Sequence, residues 1–178
     1  RIVSLRDDIL DIPRLGGDNT ALSQEQRQQL FRDEISKSRY RNAEGALVFP
    51  FRTIVEKLSP KTFDHKIAFA EAEIVPTIGD DLGRVYIVQK STGVVRNADN
   101  ELVYYSLPER TAVVDTFFAG DRSLGDKVYM NDRLSERPVV NTDWELQLNL
   151  SDEAVNADLD PSALDDIRLY FHYTDFTP

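Results

Sequence analysis

From Phe63 onward the chain is a succession of short segments in which apolar and polar residues alternate, separated by breaks rich in Gly, Pro, Asn and Asp. A period of two belongs to a strand with one dry and one wet face, and a helix, whose faces repeat every 3.6 residues, cannot satisfy it. In "WELQLNL" Trp144, Leu146, Leu148 and Leu150 keep step against Glu145, Gln147 and Asn149. In "DIRLYFHYTDF" Ile167, Leu169, Phe171 and Tyr173 oppose Arg168, Tyr170, His172 and Thr174. "HKIAFAEAEIV", "RVYIVQKS", "GVVRN", "ELVYYSL", "TAVVDTFF" and "KVYMN" complete a set of eight. Short strands at this spacing predict a mainly β fold, a β-sandwich of jelly-roll type.

The breaks have chemical reasons. "IGDDLG" and "RNADNE" supply Gly, Asn and Asp, which tolerate left-handed backbone or bond their own main chain, and Pro108 separates two strands. The acidic stretch "SDEAVNADLDPSALDD" before the last strand reads as a long crossover between two sheets, with room for one helical turn. Ahead of the strands the texture differs. "RIVSLRDDILDIPRLGGDNTALS" is an extended lead-in ending in a loop. "SQEQ" at Ser23 is a capping-box signature that starts a helix running to about Arg39. Its stripe of Leu30, Phe31 and Ile35 is narrow, which predicts a surface helix lying on the domain. The expected division is a lead-in and helix over 1–45 and the sandwich over 46–178. Within "ALVFPFRTIVEKL", Pro50 removes a ladder donor and so predicts an edge strand or a bulge.

The 178 residues suffice for one full core, and 31 acidic against 21 basic residues leave a net charge of −10. No stretch gathers cations on one face, so nucleic acid and anionic membrane are not expected partners. The absence of cysteine removes disulfides, thiol catalysis and thiolate metal sites. No apolar run approaches the roughly 20 residues that span a bilayer. The chain starts at Arg1, its only Met is Met130, and no signal-peptide order is visible. A processed product or an excised domain is therefore expected.

Chemistry-bearing patterns are sparse. Of the two histidines, His65 precedes a strand and His172 lies on the wet face of the last one with Arg168 and Tyr170, so a half-exposed sheet residue is expected there. G-x-S-x-G and phosphate-loop patterns are absent. Acidic loops at Asn97, Asp99 and Glu101, and at Asn156, Asp158, Asp160 and Asp165, offer the hard oxygens that calcium takes. They lack the full loop pattern, and solvated turns are the expectation: no metal and no cofactor is assigned. Carbohydrate binding would need exposed rings. Trp144 reads as core, and one of Tyr104 and Tyr105 is expected to point inward, which leaves Tyr105 and Tyr170 as candidates. Asn149 opens a formal glycosylation sequon.

The run from "FDHKIAFAEAEIVPTIG" through "DWELQLNL" to "LDDIRLYFHYT" resembles the C-terminal β-sandwich of the large A component of bacterial insecticidal toxin complexes (Tc toxins). In that family a "RIKSVSVSIP"-like strand meets a Gly turn, and a Trp-led strand is followed by a closing "DVILHLRYT"-like strand. Here "KIAFAEAEIVP" with Gly79, then Trp144, then Asp166 to Thr174 take those places. Gly79-Asp80-Asp81 replaces the family's Gly-Pro-Tyr, its Pro-Phe-Glu-Gly stretch is not reproduced, and the long helical shaft is missing. The resemblance implies a non-enzymatic assembly domain of a secreted or cell-surface protein, with another protein subunit as partner. Its contacts would come from sheet edges and loops, for which Asp80, Asp81, Arg84, Arg133, Glu136 and Arg137 are the candidates. A carbohydrate-binding module, calcium-dependent or not, is the alternative.

Overall fold

A computed structural model of the chain describes residues 1–76, 83–115, 132–150, 156 and 159–177. Among these residues the strands are β1 (Ile2–Ser4), β2 (Leu47–Thr53), β3 (Phe63–Val75), β4 (Arg84–Arg96), β5 (Leu102–Ser106), β6 (Arg110–Asp115), β7 (Val140–Leu148) and β8 (Asp166–Phe176), with one α-helix, α1 (Gln24–Ile35). They form two antiparallel sheets. One has the order β1-β8-β3; the other runs β2-β7-β4-β5, with β6 also on β4. The protein is a β-sandwich, and the stretch between β7 and β8 carries the chain from one sheet to the other, as its length predicts.

The alternation seen in the sequence sets the core. Trp144, Leu146 and Leu148 of one sheet and Ile167, Leu169 and Phe171 of the other are all buried. The Trp144 and Phe171 rings lie 5.2 Å apart across the interface. Thr53 secures the indole: its hydroxyl accepts from Trp144 Nε1 at 3.0 Å and from the Asn141 amide at 2.9 Å, and donates to the Val139 carbonyl at 2.6 Å.

Several elements fall as expected. α1 begins at the Ser23 capping box, although it ends at Ile35 rather than near Arg39, and a separate turn covers Ser38–Tyr40. Phe31 and Ile35 are buried while Leu30 is 39 % exposed, so the stripe that packs is narrower still. Gln28 and Arg32 hold Asp165 at 2.7 and 2.9 Å, tying the helix to the start of β8. Pro50 lies on β2, the outer strand of its sheet, the edge position its missing donor predicts.

Two strands of the sequence reading are one. "RVYIVQKS" and "GVVRN" join as β4, because Ser91 takes φ of 50° and the pairing with β7 shifts between Lys90 and Gly93, a bulge in place of a turn. β4 also changes partner there, pairing with β6 through Gln89 and with β5 from Thr92. "KVYMN" and the end of "TAVVDTFF" lie outside the described residues.

Candidate protein interface

β5 is an overhanging strand. Among the described residues a sheet built across β2, β7, β4 and β5 faces one of three strands, which leaves its outermost member without a strand opposite it. Leu102 (41 %), Tyr104 (63 %) and Tyr105 (47 %) are exposed as a result. The expectation that one tyrosine of the pair points inward is corrected: it holds only for a strand covered on one face.

Beside β5 runs the 132–138 loop, which is stitched to β3. The Glu136 amide donates to the Ile67 carbonyl at 2.9 Å, the Ile67 amide to Arg137 at 2.8 Å and the Val139 amide to His65 at 3.1 Å. Leu134 is fully buried and anchors the loop, and Glu136 takes φ of 62° at the reversal. Arg133 and Glu136 are left on the surface. The hydrogen bond from Lys66 to Asp64 raises the Lys66 pKa most, and Glu136 and Tyr105 add to it, so both lie toward the Lys66 ammonium. The Arg110 guanidinium donates to the Arg133 carbonyl at 3.2 Å and joins it to β6.

Arg137 is not on this surface. It is only 7 % exposed, and its guanidinium donates to Gln89 Oε1 and, at 2.6 Å, to the Pro108 carbonyl. Burial, reinforced by Arg110, holds its pKa below the ordinary arginine value. It clamps the loop to the β5–β6 corner from inside. Arg84 opens β4 at the end away from β5, about 30 Å from Gly93 at the rise of a strand, with its main chain bracketed by the Asn156 amide at 2.7 and 3.1 Å. Asp80 and Asp81 lie outside the described residues. Tyr105 and Glu136 thus both lie toward Lys66, Arg133 is exposed on the same loop as Glu136, Leu102 and Tyr104 are exposed on the other face of β5, and Arg84 and Tyr170 lie elsewhere.

Tyr170 stands on the outer face of the three-stranded sheet, half-buried, and donates its hydroxyl to Glu73 at 2.5 Å. Burial and then the Glu73 carboxylate raise its pKa. Arg168 meets the same carboxylate at 3.4 Å, His172 bonds Glu71 at 2.6 Å, and the His172 ring stacks on Phe69 at 4.1 Å. His172 is the half-exposed sheet residue its pattern predicts. On this face Glu73 and Glu71 each have a hydrogen-bonding partner.

Several of the calcium candidates are engaged in other ways. Asn156 is buried against Arg84 and Asn149, Asp160 caps Ser162, and Asp165 holds α1. Asn97 bonds Glu101 across the hairpin turn at 2.8 Å. Asp158 lies outside the described residues. Among the described residues no three His, Asp or Glu converge as metal ligands. His65 is buried, with Thr62 Oγ1 at 2.8 Å and Asp175 at 3.7 Å, but both meet the same nitrogen, Nε2. A nucleophile–base–orienter relay needs opposite ring nitrogens. Among the described residues no helix is long and apolar enough to cross a membrane.

No protein-family model matches this sequence, and no curated protein matches it at a significant level.

Proposed function

We propose that the chain is a non-enzymatic protein-interaction domain that docks another subunit through β5 and the 132–138 loop. In this reading it serves as the closing sandwich of a large, secreted or cell-surface assembly protein of the toxin-complex kind. The observation that carries the reading is an overhanging strand that exposes Leu102 and Tyr104 on one face and Tyr105 on the other, with Arg133 and Glu136 exposed on the neighbouring loop. Tyrosine at the centre and charge at the rim is the composition of interfaces whose energy sits in a few aromatic anchors.

Carbohydrate binding is less well supported by the same residues. Adjacent side chains on a strand point to opposite faces, so Tyr104 and Tyr105 do not form one stacking platform, and Tyr170 lies on the other sheet with its hydroxyl engaged.

The test is capture from the extract and medium of the cells that make the protein, with retained material identified by mass spectrometry. The wild-type domain should retain one large protein stoichiometrically, and Tyr104→Ala with Tyr105→Ala should reduce capture at least tenfold with unfolding midpoint unchanged. Undiminished capture by that variant, or retention of the domain on insoluble polysaccharide alone, would overturn the reading.

A further inference from the structure

The outer edge of β5 has a defined hydrogen-bonding phase. Across the hairpin turn the Asn97 amide donates to the Glu101 carbonyl at 2.9 Å, and at the other end the Leu107 amide donates to Ser91 at 2.7 Å. Bonded and non-bonded pairs alternate along an antiparallel ladder. With Val95 opposite Val103 and Gly93 opposite Tyr105, the main-chain groups of Val103 and Tyr105 therefore face β4. Those of Leu102, Tyr104 and Ser106 face outward, and among the described residues no strand pairs with them. All three side chains are exposed. Free edges are usually blunted by proline, charge or cover, yet "LVYYS" contains neither proline nor a charged residue.

Acidic groups frame this edge. Asp99 lies in the hairpin turn at one end; Glu109 follows the strand at the other, with Glu136 on the adjoining loop. Among the described residues none of the three makes an ion pair. Three neighbouring cations are turned to other partners: Lys66 to Asp64 at 3.0 Å, Arg96 to the Ser59 carbonyl at 2.8 Å and Arg110 to the Arg133 carbonyl.

We propose that β5 accepts an added strand from a partner protein, an extended segment with apolar or β-branched residues at alternate positions in its middle and Lys or Arg at both ends. Main-chain hydrogen bonds to Leu102, Tyr104 and Ser106 supply the affinity, and alternate side chains over Leu102 and Tyr104 supply selectivity. The basic ends meet Asp99 on one side and Glu109 and Glu136 on the other. The proposal rests on the interaction reading above and names the kind of partner it takes.

The test is amide exchange by NMR on the ¹⁵N-labelled protein with a capped probe peptide, Lys-Lys-Val-Thr-Val-Thr-Val-Lys-Lys. In the free protein the amides of Leu102, Tyr104 and Ser106 should exchange faster than those of Val103 and Tyr105. Saturating peptide should slow all three at least tenfold, and the same peptide with Glu for Lys should bind at least tenfold more weakly. Tyr104→Pro deletes an outward donor without touching the β4 ladder and should abolish binding, whereas Tyr104→Thr keeps the donor and should retain it within threefold. Absent protection, equal binding of the acidic peptide, or protection that grows with protein concentration alone, which would make a second copy the occupant, overturns the proposal. If Tyr104→Pro still captures the native partner while the double tyrosine variant does not, strand addition fails and the interaction reading stands; if both capture it, the reading itself fails.

Discussion

Thr53 shows how one hydroxyl can fix a core. A hydroxyl has one donor and two acceptor sites, and here all are used, on Val139, Asn141 and Trp144. Thr53→Val keeps the shape and leaves those buried groups unpaired, so chemical denaturation should show a loss of about 3 kcal/mol. Thr53→Ser should lose less than about 1 kcal/mol, the scale of one missing methyl(ene) group. Equal losses in the two variants would remove the hydroxyl from the account. His65 gives the pH term. Burial holds its pKa below the ordinary 6.5, against the pull of Asp175. The neutral ring is the folded form, so its contribution is complete above pH 6.5 and is lost as pH falls toward the folded value. The urea midpoint should drop between pH 7.5 and 5.5, and His65→Gln should flatten that drop; an unchanged slope would contradict it. Neither residue's role was legible in the sequence, because a Thr after a broken strand and a His before one carry no local pattern. Trp144 was legible, since its step with Leu146 and Leu148 leaves only one face for it.

At the scale of elements, α1 tests how far local signals reach. Ser23 accepts from the Gln26 amide while Gln26 Oε1 accepts from the Ser23 amide at 2.8 Å, and Ser23→Ala should cost about 1 kcal/mol. Phe31→Ala should cost about 3–5 kcal/mol and Leu30→Gln under about 0.5 kcal/mol, because only the first is buried. Thermal melts of the three variants check the order, and a Leu30 effect as large as that of Phe31 would contradict the docked face. The helix start was legible since a capping box is a local contact. Its end was not: Ser38–Tyr40 continues helical texture, yet Tyr40 turns to pack against Phe49 at 5.1 Å. The β4 bulge was read as a break because Ser-Thr-Gly is turn chemistry, and only pairing on both sides carries the strand through it. Gly93 belongs to the same lesson: a Cβ there would meet Leu107 at 2.7 Å and Pro138 at 2.8 Å, an approach made by residues distant in sequence.

For the whole molecule, the sandwich follows from alternation, and the candidate surface follows from a mismatch between sheets. Strand periodicity is local, so two-layer packing could be read from residues 63–176. Sheet width and order are not local. No feature of "ELVYYSLPER" distinguishes a covered strand from an overhanging one, which is why alternation alone sends one of Tyr104 and Tyr105 inward and singles out no role for Leu102. The same holds for Arg137, a loop cation by sequence that Gln89 and Pro108 draw inside. The central claim is that the overhang of β5 is where this domain meets its partner. The measurement that tests it most directly is photo-crosslinking in native extract, with a benzophenone side chain placed at Tyr104 in one variant and at His172, on the opposite sheet, in another. The account predicts a single high-mass protein adduct from position 104 and none from position 172. Adduct from 172 alone, or from neither, would contradict it.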